Sequence, residues 1–253
     1  KLPKMIKRII IPIAVSIALL AAPCASLAQS TTISAGGDFQ LDLIWKANTL
    51  TPYDYPGKAL PSTLSGVVIY ALANTPNPQK LTYTWIVDDA SSNREGPDKT
   101  GRGQDSFLLI TYQIPEFVHE LRVTATDEAT GRSASAALKI NTVRPEIDFY
   151  LKNNDNYNNP APTLWDTPPG QDSALMAKIF SFNALNENDL DLKWFLDGQP
   201  QENTSADPMV LPINITPRTR LGTQTNLKLL ATHKKLRNDI NQRAEGRITL
   251  YIR

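Results

Sequence analysis

The sequence predicts an all-β protein, in which two β-sandwich domains follow one another behind an N-terminal segment. Three observations support this fold class. Three sequence blocks occur twice in the same order, their apolar and polar residues alternate as in half-buried strands, and turn-forming stretches separate them. The 19 prolines outnumber the 12 glycines, which disfavours long helices, because proline interrupts a helix interior.

The first 28 residues differ in composition from the rest of the chain. Basic residues precede an apolar run at 9–22, and Ser26-Leu27-Ala28 places small residues at the −3 and −1 positions of a cleavage site. This order is typical of a secretory signal peptide. We therefore expect residues 1–28 to be a signal segment that is cleaved before Gln29, which makes the protein an exported one.

Two alternatives for this segment stay open. Residues 9–28 are long enough to remain as an uncleaved membrane anchor, which would be the protein's only contact with a membrane. A lipoprotein site would use Cys24, which follows Pro23.

The charge of the mature chain argues against nucleic acid as a partner. Loss of residues 1–28 removes four of the 26 basic residues and none of the 25 acidic ones, so the net charge becomes −3. No basic patch is left to bind phosphates. Cys24 is the only cysteine, so the mature domains must be stabilised by burial of their cores and not by disulfides.

The internal repeat fixes the domain organisation. Equivalent residues of the two copies lie 106 to 109 positions apart, and each block of the first copy has a partner in the second. The pairs are "LDLIW" at Leu41 with "IDFYL" at Ile147, "LTYTWIVDD" at Leu81 with "LDLKWFLDG" at Leu190, and "LRVTATD" at Leu121 with "LKLLATH" at Leu227. We predict domains at 37–143 and 145–253, joined near Pro145.

Strand-like runs and turns fill both copies. In the first copy, residues 67–72 and 107–112 are rich in β-branched and aromatic residues. In the second copy, residues 227–241 also fit an amphipathic helix, but the repeat predicts a strand at 227–232, a polar loop at 234–242 and a last strand at 246–252.

Trp85 and Trp194 occupy equivalent positions in the middle of a strand. Alternation places Trp85 on the same face as Leu81, Tyr83 and Val87. A tryptophan buried between the sheets at this strand is typical of an immunoglobulin-like sandwich. We therefore predict two tandem immunoglobulin-like β-sandwich domains, and we prefer this interpretation to a role of the two rings in stacking on sugars.

Two aromatic segments, 51–62 and 153–170, connect strands in the two copies. They carry Tyr53, Tyr55, Tyr157 and Trp165. These four side chains are the candidate interaction surface, because tyrosine and tryptophan are enriched in interfaces. The alternative is that they pack over the ends of the sandwiches or fill the joint between them.

Catalytic and metal-binding motifs are absent from the sequence. His119 and His233 lie in no known catalytic motif, and no nucleophile elbow or phosphate-binding glycine loop occurs. We expect no enzymatic activity and no cofactor. Acidic residues near predicted strand ends raise the question of calcium, but they lack the spacing of a calcium loop, so we expect solvated carboxylates. They are Asp88, Asp89, Asp127, Glu128, Asp148 and Asp155.

The strands "YTWIVDD" and "LKWFLDG", with "LRVTATD" and "LKLLATH" downstream, resemble PKD-like and other immunoglobulin-like repeats of bacterial surface proteins. The segment "PYDYPGKALP" is similar to one in uncharacterised exported proteins of candidate-phylum bacteria. This resemblance covers Gln29 to Arg253. It implies surface display, adhesion or assembly in the cell envelope, pili included, with envelope or extracellular proteins as partners. A carbohydrate-binding module that uses the loop aromatics to hold a glycan is the alternative.

Overall fold

The computed structural model describes residues 39–88, 97–153, 156–235 and 242–253. The signal segment predicted at 1–28 and most of the loop predicted at 234–242 lie outside these ranges. The described residues form β-strands and two short 3₁₀-helices, at Pro78–Lys80 and Glu187–Asp189, with no α-helix among them. The predicted all-β fold class is confirmed.

The first sandwich consists of two antiparallel sheets within residues 39–142. One sheet has the order β1-β2-β5 and the other has the order β4-β3-β6-β7. The strands are β1 Leu41–Ala47, β2 Gly66–Ala73, β3 Thr82–Asp88, β4 Lys99–Arg102, β5 Ser106–Ile110, β6 Val118–Thr126 and β7 Ser133–Asn141.

The second sandwich, within residues 146–253, repeats this arrangement with two additional strands, β9 and β10. Its sheets have the orders β14-β11-β8-β9 and β10-β16-β15-β12-β13, and β10 runs parallel to β16. The strands are β8 Glu146–Asn153, β9 Asn156–Pro160, β10 Leu164–Thr167, β11 Asp172–Phe180, β12 Leu190–Leu196, β13 Gln199–Gln201, β14 Val210–Asn214, β15 Gln224–His233 and β16 Arg243–Ile252. The strands predicted at 227–232 and 246–252 are confirmed within β15 and β16.

Strand register shows that the two sandwiches share one arrangement of strands. Trp85 of β3 lies opposite Val123 of β6, and Trp194 of β12 lies opposite Leu229 of β15. Both tryptophans are at most 2% exposed. Trp85 donates its Nε1–H to the carbonyl of Gln104 at 2.8 Å, and Trp194 donates to the carbonyl of Pro208 at 3.1 Å. Each indole is therefore buried without an unsatisfied donor.

Each sandwich has its own hydrophobic core. The core of the first sandwich surrounds Trp85, which stacks on Phe107 with ring centroids 5.7 Å apart. The core of the second surrounds Trp194, whose ring centroid lies 5.8 Å from that of Phe149. Because the two cores are separate clusters, the structure is that of two tandem immunoglobulin-like sandwiches. The boundaries at 37–143 and 145–253 stay a prediction.

Backbone hydrogen bonds join the two sandwiches directly. Leu50, in the segment between β1 and β2, donates its N–H to the carbonyl of Phe182 at 2.7 Å, and Ser181 donates its N–H to the carbonyl of Leu50 at 2.8 Å. Asn183 donates through Nδ2 to the carbonyl of Leu64 at 2.8 Å. In the repeat, the segment between β1 and β2 corresponds to the segment that forms β9 and β10 in the second sandwich. In the first sandwich it contacts the second sandwich instead.

Gln242 is the buried polar centre of this joint. Its Oε1 accepts the N–H of Asn183 at 2.6 Å, and its Nε2 donates to Ser62 Oγ at 2.8 Å. Gln242 is 4% exposed and Ser62 is fully buried. One glutamine side chain therefore satisfies polar groups of both sandwiches, and these groups cannot reach water in its place.

We expect Trp85→Ala and Trp194→Ala each to lower the stability of its own sandwich by about 3–5 kcal/mol, because a large buried ring is replaced by a cavity. Differential scanning calorimetry measures this as a shift of one transition. Tyr53→Ala is the control, since Tyr53 is 97% exposed. A single transition that moves equally in both variants would contradict the division into two domains.

We expect Gln242→Ala to cost about 1–3 kcal/mol, because it leaves the half-buried Asn183 N–H and the buried Ser62 hydroxyl without this partner. Denaturant unfolding measures the loss. Gln199→Ala, at an exposed position in β13, should leave stability unchanged. Equal stability of the two variants would show that the joint does not depend on Gln242.

Candidate interaction surface

The sheet β1-β2-β5 is apolar on both of its faces. Its inner face supplies core residues such as Val67 and Ile69, which are fully buried. Its outer face also carries large apolar side chains, although these are exposed to solvent. They are Ile44 (51% exposed), Tyr70 (44%), Leu72 (50%), Leu108 (60%) and Ile110 (53%). We call this set the apolar face.

Strand register brings the residues of the apolar face together. Ile44 of β1 lies directly opposite Tyr70 of β2, and directly opposite side chains on one sheet face have Cβ atoms about 4.5–5.5 Å apart. Leu108 and Ile110 of β5 extend over Gly66, where an added Cβ would lie 3.6 and 3.9 Å from their terminal carbons. The five side chains thus form one contiguous patch rather than scattered single exposures.

The corresponding face of the second sandwich has a different character. By register, the residues equivalent to the apolar face are Tyr150, Met176, Lys178, Pro212 and Asn214. Lys178 forms an ion pair with Asp54 of the first sandwich at 2.5 Å. Its ammonium also lies 4.3 Å from the centroid of the Tyr150 ring. An outer face of exposed aliphatic residues is therefore not a requirement of this fold.

The structure separates the four aromatic residues that the sequence grouped together. Tyr53 is 97% exposed. The ring of Tyr55 contacts Phe180 edge to face, with centroids 5.3 Å apart. Trp165 is 7% exposed in the core of the second sandwich, because β10 pairs with β16 and turns this ring inward. The side chain of Tyr157 lies outside the described part.

Trp165 is therefore corrected from a candidate interaction residue to a core residue. The packing alternative holds for Trp165, whereas Tyr55 contacts Phe180 but is still 36% exposed, so its role stays a prediction. The apolar face was not predicted from the sequence. The available signal was that "GVVIYALA" and "SFLLI" are continuous apolar runs, but such runs equally fit strands that are buried on both sides.

A cleft of about 260 Å³ opens at the joint between the sandwiches, lined by Tyr55, Lys58, Asp148 and Tyr150 among others. Partial burial raises the pKa of the Asp148 carboxyl. Burial, followed by the nearby Asp148 charge, also raises the pKa of the Tyr150 hydroxyl. Lys58 places its ammonium 3.4 Å from the centroid of the Trp45 ring, and burial lowers its pKa.

Both histidines are structural. His119 is 1% exposed, lies between the rings of Tyr112 and Phe117 with centroids 4.9 Å from each, and accepts the Tyr112 N–H through Nε2. His233 is 8% exposed and accepts the Lys235 N–H through Nδ1 at 3.0 Å.

The acidic residues considered for calcium do not converge in the described ranges. There, no group of three or more histidine, cysteine, aspartate or glutamate residues is arranged to hold a metal ion. Asp127 instead caps its own turn, accepting the Ala129 N–H at 3.0 Å and the Thr130 hydroxyl at 2.8 Å. Asp89, Asp155 and the side chain of Asp88 lie outside the described part.

No helix in the described ranges is long and apolar enough to span a membrane.

Comparison with known proteins gives matches among solved structures. No protein-family model and no curated protein matches the chain. Among solved structures, the FN1–FN3 domains of chicken CNTN1 are similar at 15% identity and a TM-score of 0.29, over 77% of this chain and 64% of that chain. EC1–4 of Drosophila N-cadherin is similar at 13% identity and a TM-score of 0.24, over 73% and 44%. The chain thus spans less than two thirds of each of these structures.

Strand order, the buried tryptophan of β3 and β12 and the two separate cores define the class of the protein: a tandem repeat of immunoglobulin-like β-sandwiches.

The pKa of Asp148 leads to a test of the joint cleft. Because burial raises this pKa in the folded protein, the ionised carboxylate lowers stability above that pKa, and the penalty disappears below the ordinary pKa of aspartate. We therefore expect Asp148→Asn to raise the melting temperature at pH 7, with a gain that vanishes near pH 3. Asp172→Asn, at an exposed position of β11, is the control. A lower melting temperature of Asp148→Asn at pH 7 would mean that the charged form is stabilised.

Proposed function

We propose that the protein is an exported, non-enzymatic interaction module of the cell envelope, which binds a partner protein through the apolar face of its first sandwich. One observation carries the proposal: five large apolar side chains are exposed side by side on one sheet face. Contiguous exposed apolar patches of this kind mark interaction sites on folded proteins.

The composition of the apolar face fits the centre of a protein interface. Such centres are depleted in charged residues and enriched in aromatic ones, and Tyr70 lies in the central strand of this sheet. Asp42 and Lys46 of β1 extend from the same face, next to Leu72 and Val68 in register, and they supply a charged rim. Burial of the apolar side chains provides about 25 cal/mol per Å², while the rim charges favour one partner over another.

Export and location in the envelope rest on the sequence of residues 1–28 and on the resemblance to bacterial surface repeats. Outside the cytoplasm, a mature chain without cysteine would have to be stabilised by burial of its cores. The roles that we propose are adhesion, surface display or assembly, including the assembly of pili. All of them need a binding face and none needs catalysis.

The carbohydrate-binding alternative has less support. Sugar recognition on flat surfaces needs aromatic rings that are exposed together, because stacking uses the face of each ring. Of the four candidate residues, Trp165 is in the core and Tyr55 packs on Phe180. Tyr53 alone remains fully available among those whose side chains are described.

Site-specific photo-cross-linking in the producing cell tests the proposed function. A photoreactive phenylalanine analogue at Leu72 should form covalent adducts with a partner protein, because Leu72 lies within the apolar face. The matched control position is Leu185, which is 73% exposed in the second sandwich. The variant Tyr70→Asp, which puts a charge in the centre of the face, should abolish the adduct at Leu72.

Mass spectrometry of the adducts identifies the partner. Adducts of equal yield from Leu72 and Leu185, or an adduct at Leu72 that survives Tyr70→Asp, would refute the apolar face as the binding surface. Glycan recovered in place of protein would favour the carbohydrate-binding alternative.

A further inference from the structure

We infer that β5 is a self-pairing edge: a second copy of this chain adds its own β5 antiparallel to it, which gives a dimer with a continuous sheet. This inference rests on the proposed function, because β5 forms one border of the apolar face and the inference names the partner that binds there. It follows from the backbone geometry of β5, from its side chains, and from a comparison with the other sheet edges of the molecule.

The backbone of β5 is half unpaired. The strand is terminal in the sheet β1-β2-β5. Towards β2, Thr111 donates its N–H to the Ser65 carbonyl at 3.0 Å, and Asp105 accepts the Ala71 N–H at 2.7 Å. N–H and C=O groups alternate between the two sides of a strand. The open side of β5 therefore carries the backbone N–H and C=O groups of Ser106, Leu108 and Ile110.

Among the groups directed to the open side, the carbonyl of Ser106 is already engaged. It accepts a hydrogen bond from Lys99 Nζ at 2.8 Å. Among the described residues, neither the N–H nor the C=O of Leu108 has a hydrogen-bond partner. Leu108 is also the most exposed residue of the apolar face, at 60%.

The other sheet edges of the described structure carry features that oppose pairing. Folded β-proteins protect their edges with charged residues and prolines. Every other terminal strand has at least one such residue, whereas β5, "SFLLI", has none. The protecting residues are Asp42 and Lys46 in β1, Lys99 and Arg102 in β4, Lys139 in β7, Pro160 in β9, Asp166 in β10, Pro200 in β13 and Pro212 in β14.

The second sandwich provides a matched comparison. Its equivalent edge strand is β14, in which Pro212 takes the place of Leu108 in register. Proline has no N–H, and here the missing donor is the one that would face the open edge. The carbonyl of Val210 accepts a hydrogen bond from Asn203 Nδ2 at 3.0 Å, as the equivalent carbonyl of Ser106 does from Lys99, so the two edges differ at Pro212. The same edge is therefore blocked in one copy of the repeat and open in the other.

A second copy of the chain fits the open edge by charge and symmetry. An antiparallel pair centred on Leu108 places Leu108 opposite Leu108 and Ile110 opposite Ser106 of the second copy. Neither strand contains a charged residue, and the Lys99 ammonium contacts only the Ser106 carbonyl, whose second lone pair can accept the Ile110 N–H of the second copy. The two Asp105 carboxylates fall at opposite ends of the pair, beyond the distance at which exposed charges interact strongly. Because β14 is blocked, each chain has one such edge, so the contact closes as a two-fold dimer and does not extend into a filament.

Sedimentation velocity on the chain from Gln29 to Arg253 tests the inference. We expect a concentration-dependent dimer for the wild type, and a monomer for Leu108→Pro at every soluble concentration. Leu108→Pro copies the residue of β14 and removes an N–H that has no partner among the described residues, so the variant should still fold and melt cooperatively. Leu108→Lys should also be monomeric, and Leu185→Lys is the control that should still form dimers.

A single cysteine gives an independent measurement of register, because Cys24 lies outside this chain. Directly opposite residues in a hydrogen-bonded antiparallel pair have Cα atoms about 5.5 Å apart, a distance that a disulfide spans. We expect Leu108→Cys to form an intermolecular disulfide on oxidation, and Leu185→Cys to remain monomeric.

The outcomes separate this inference from the proposed function. A wild-type chain that remains monomeric, or a Leu108→Pro variant that still forms dimers, would overturn self-pairing. If Leu72 then still cross-links to another protein, the apolar face keeps its proposed role with a different occupant. Loss of that adduct together with a monomeric wild type would overturn both.

Discussion

Burial of one tryptophan between the sheets is the interaction on which each sandwich depends. Trp85 and Trp194 fill the space between facing sheets, and each donates its indole N–H to a backbone carbonyl at the edge of that space. A large ring in this place fixes the distance and the register of the strands around it, because any slip by one residue would turn the ring to solvent. Since Cys24 is the only cysteine of the sequence, no disulfide forms within the chain, and this burial has to provide the stability that cross-links provide in many small domains.

The two sandwiches share this frame and have diverged on their outer faces. In the first, the outer face of β1-β2-β5 is apolar. In the second, the equivalent positions include Lys178, Pro212 and Asn214. Core positions cannot change without loss of packing, whereas outer positions of an exposed sheet are free to take up new roles. This asymmetry within one chain supports assigning binding to the first sandwich and a supporting role to the second.

The joint is consistent with the supporting role proposed for the second sandwich. Hydrogen bonds between Leu50 and residues 181–182, together with the side chain of Gln242, tie the segment after β1 to the second sandwich. Polar groups that are buried and satisfied across an interface restrict its geometry more than apolar contact alone does. The joint therefore gives the apolar face a defined position relative to the C-terminal half of the chain.

The sequence by itself determined the fold class, the repeat, most strand positions and the two core tryptophans, because all of these follow from periodicity and from local spacing. Only the tertiary structure decided which aromatic and apolar residues are exposed: it placed Trp165 in the core and left Leu108 and Ile110 in solvent. The physical reason is that a continuous apolar run has no polar face to indicate which side is covered. Whether an edge strand is open depends in the same way on strand order, which is set by contacts far apart in sequence.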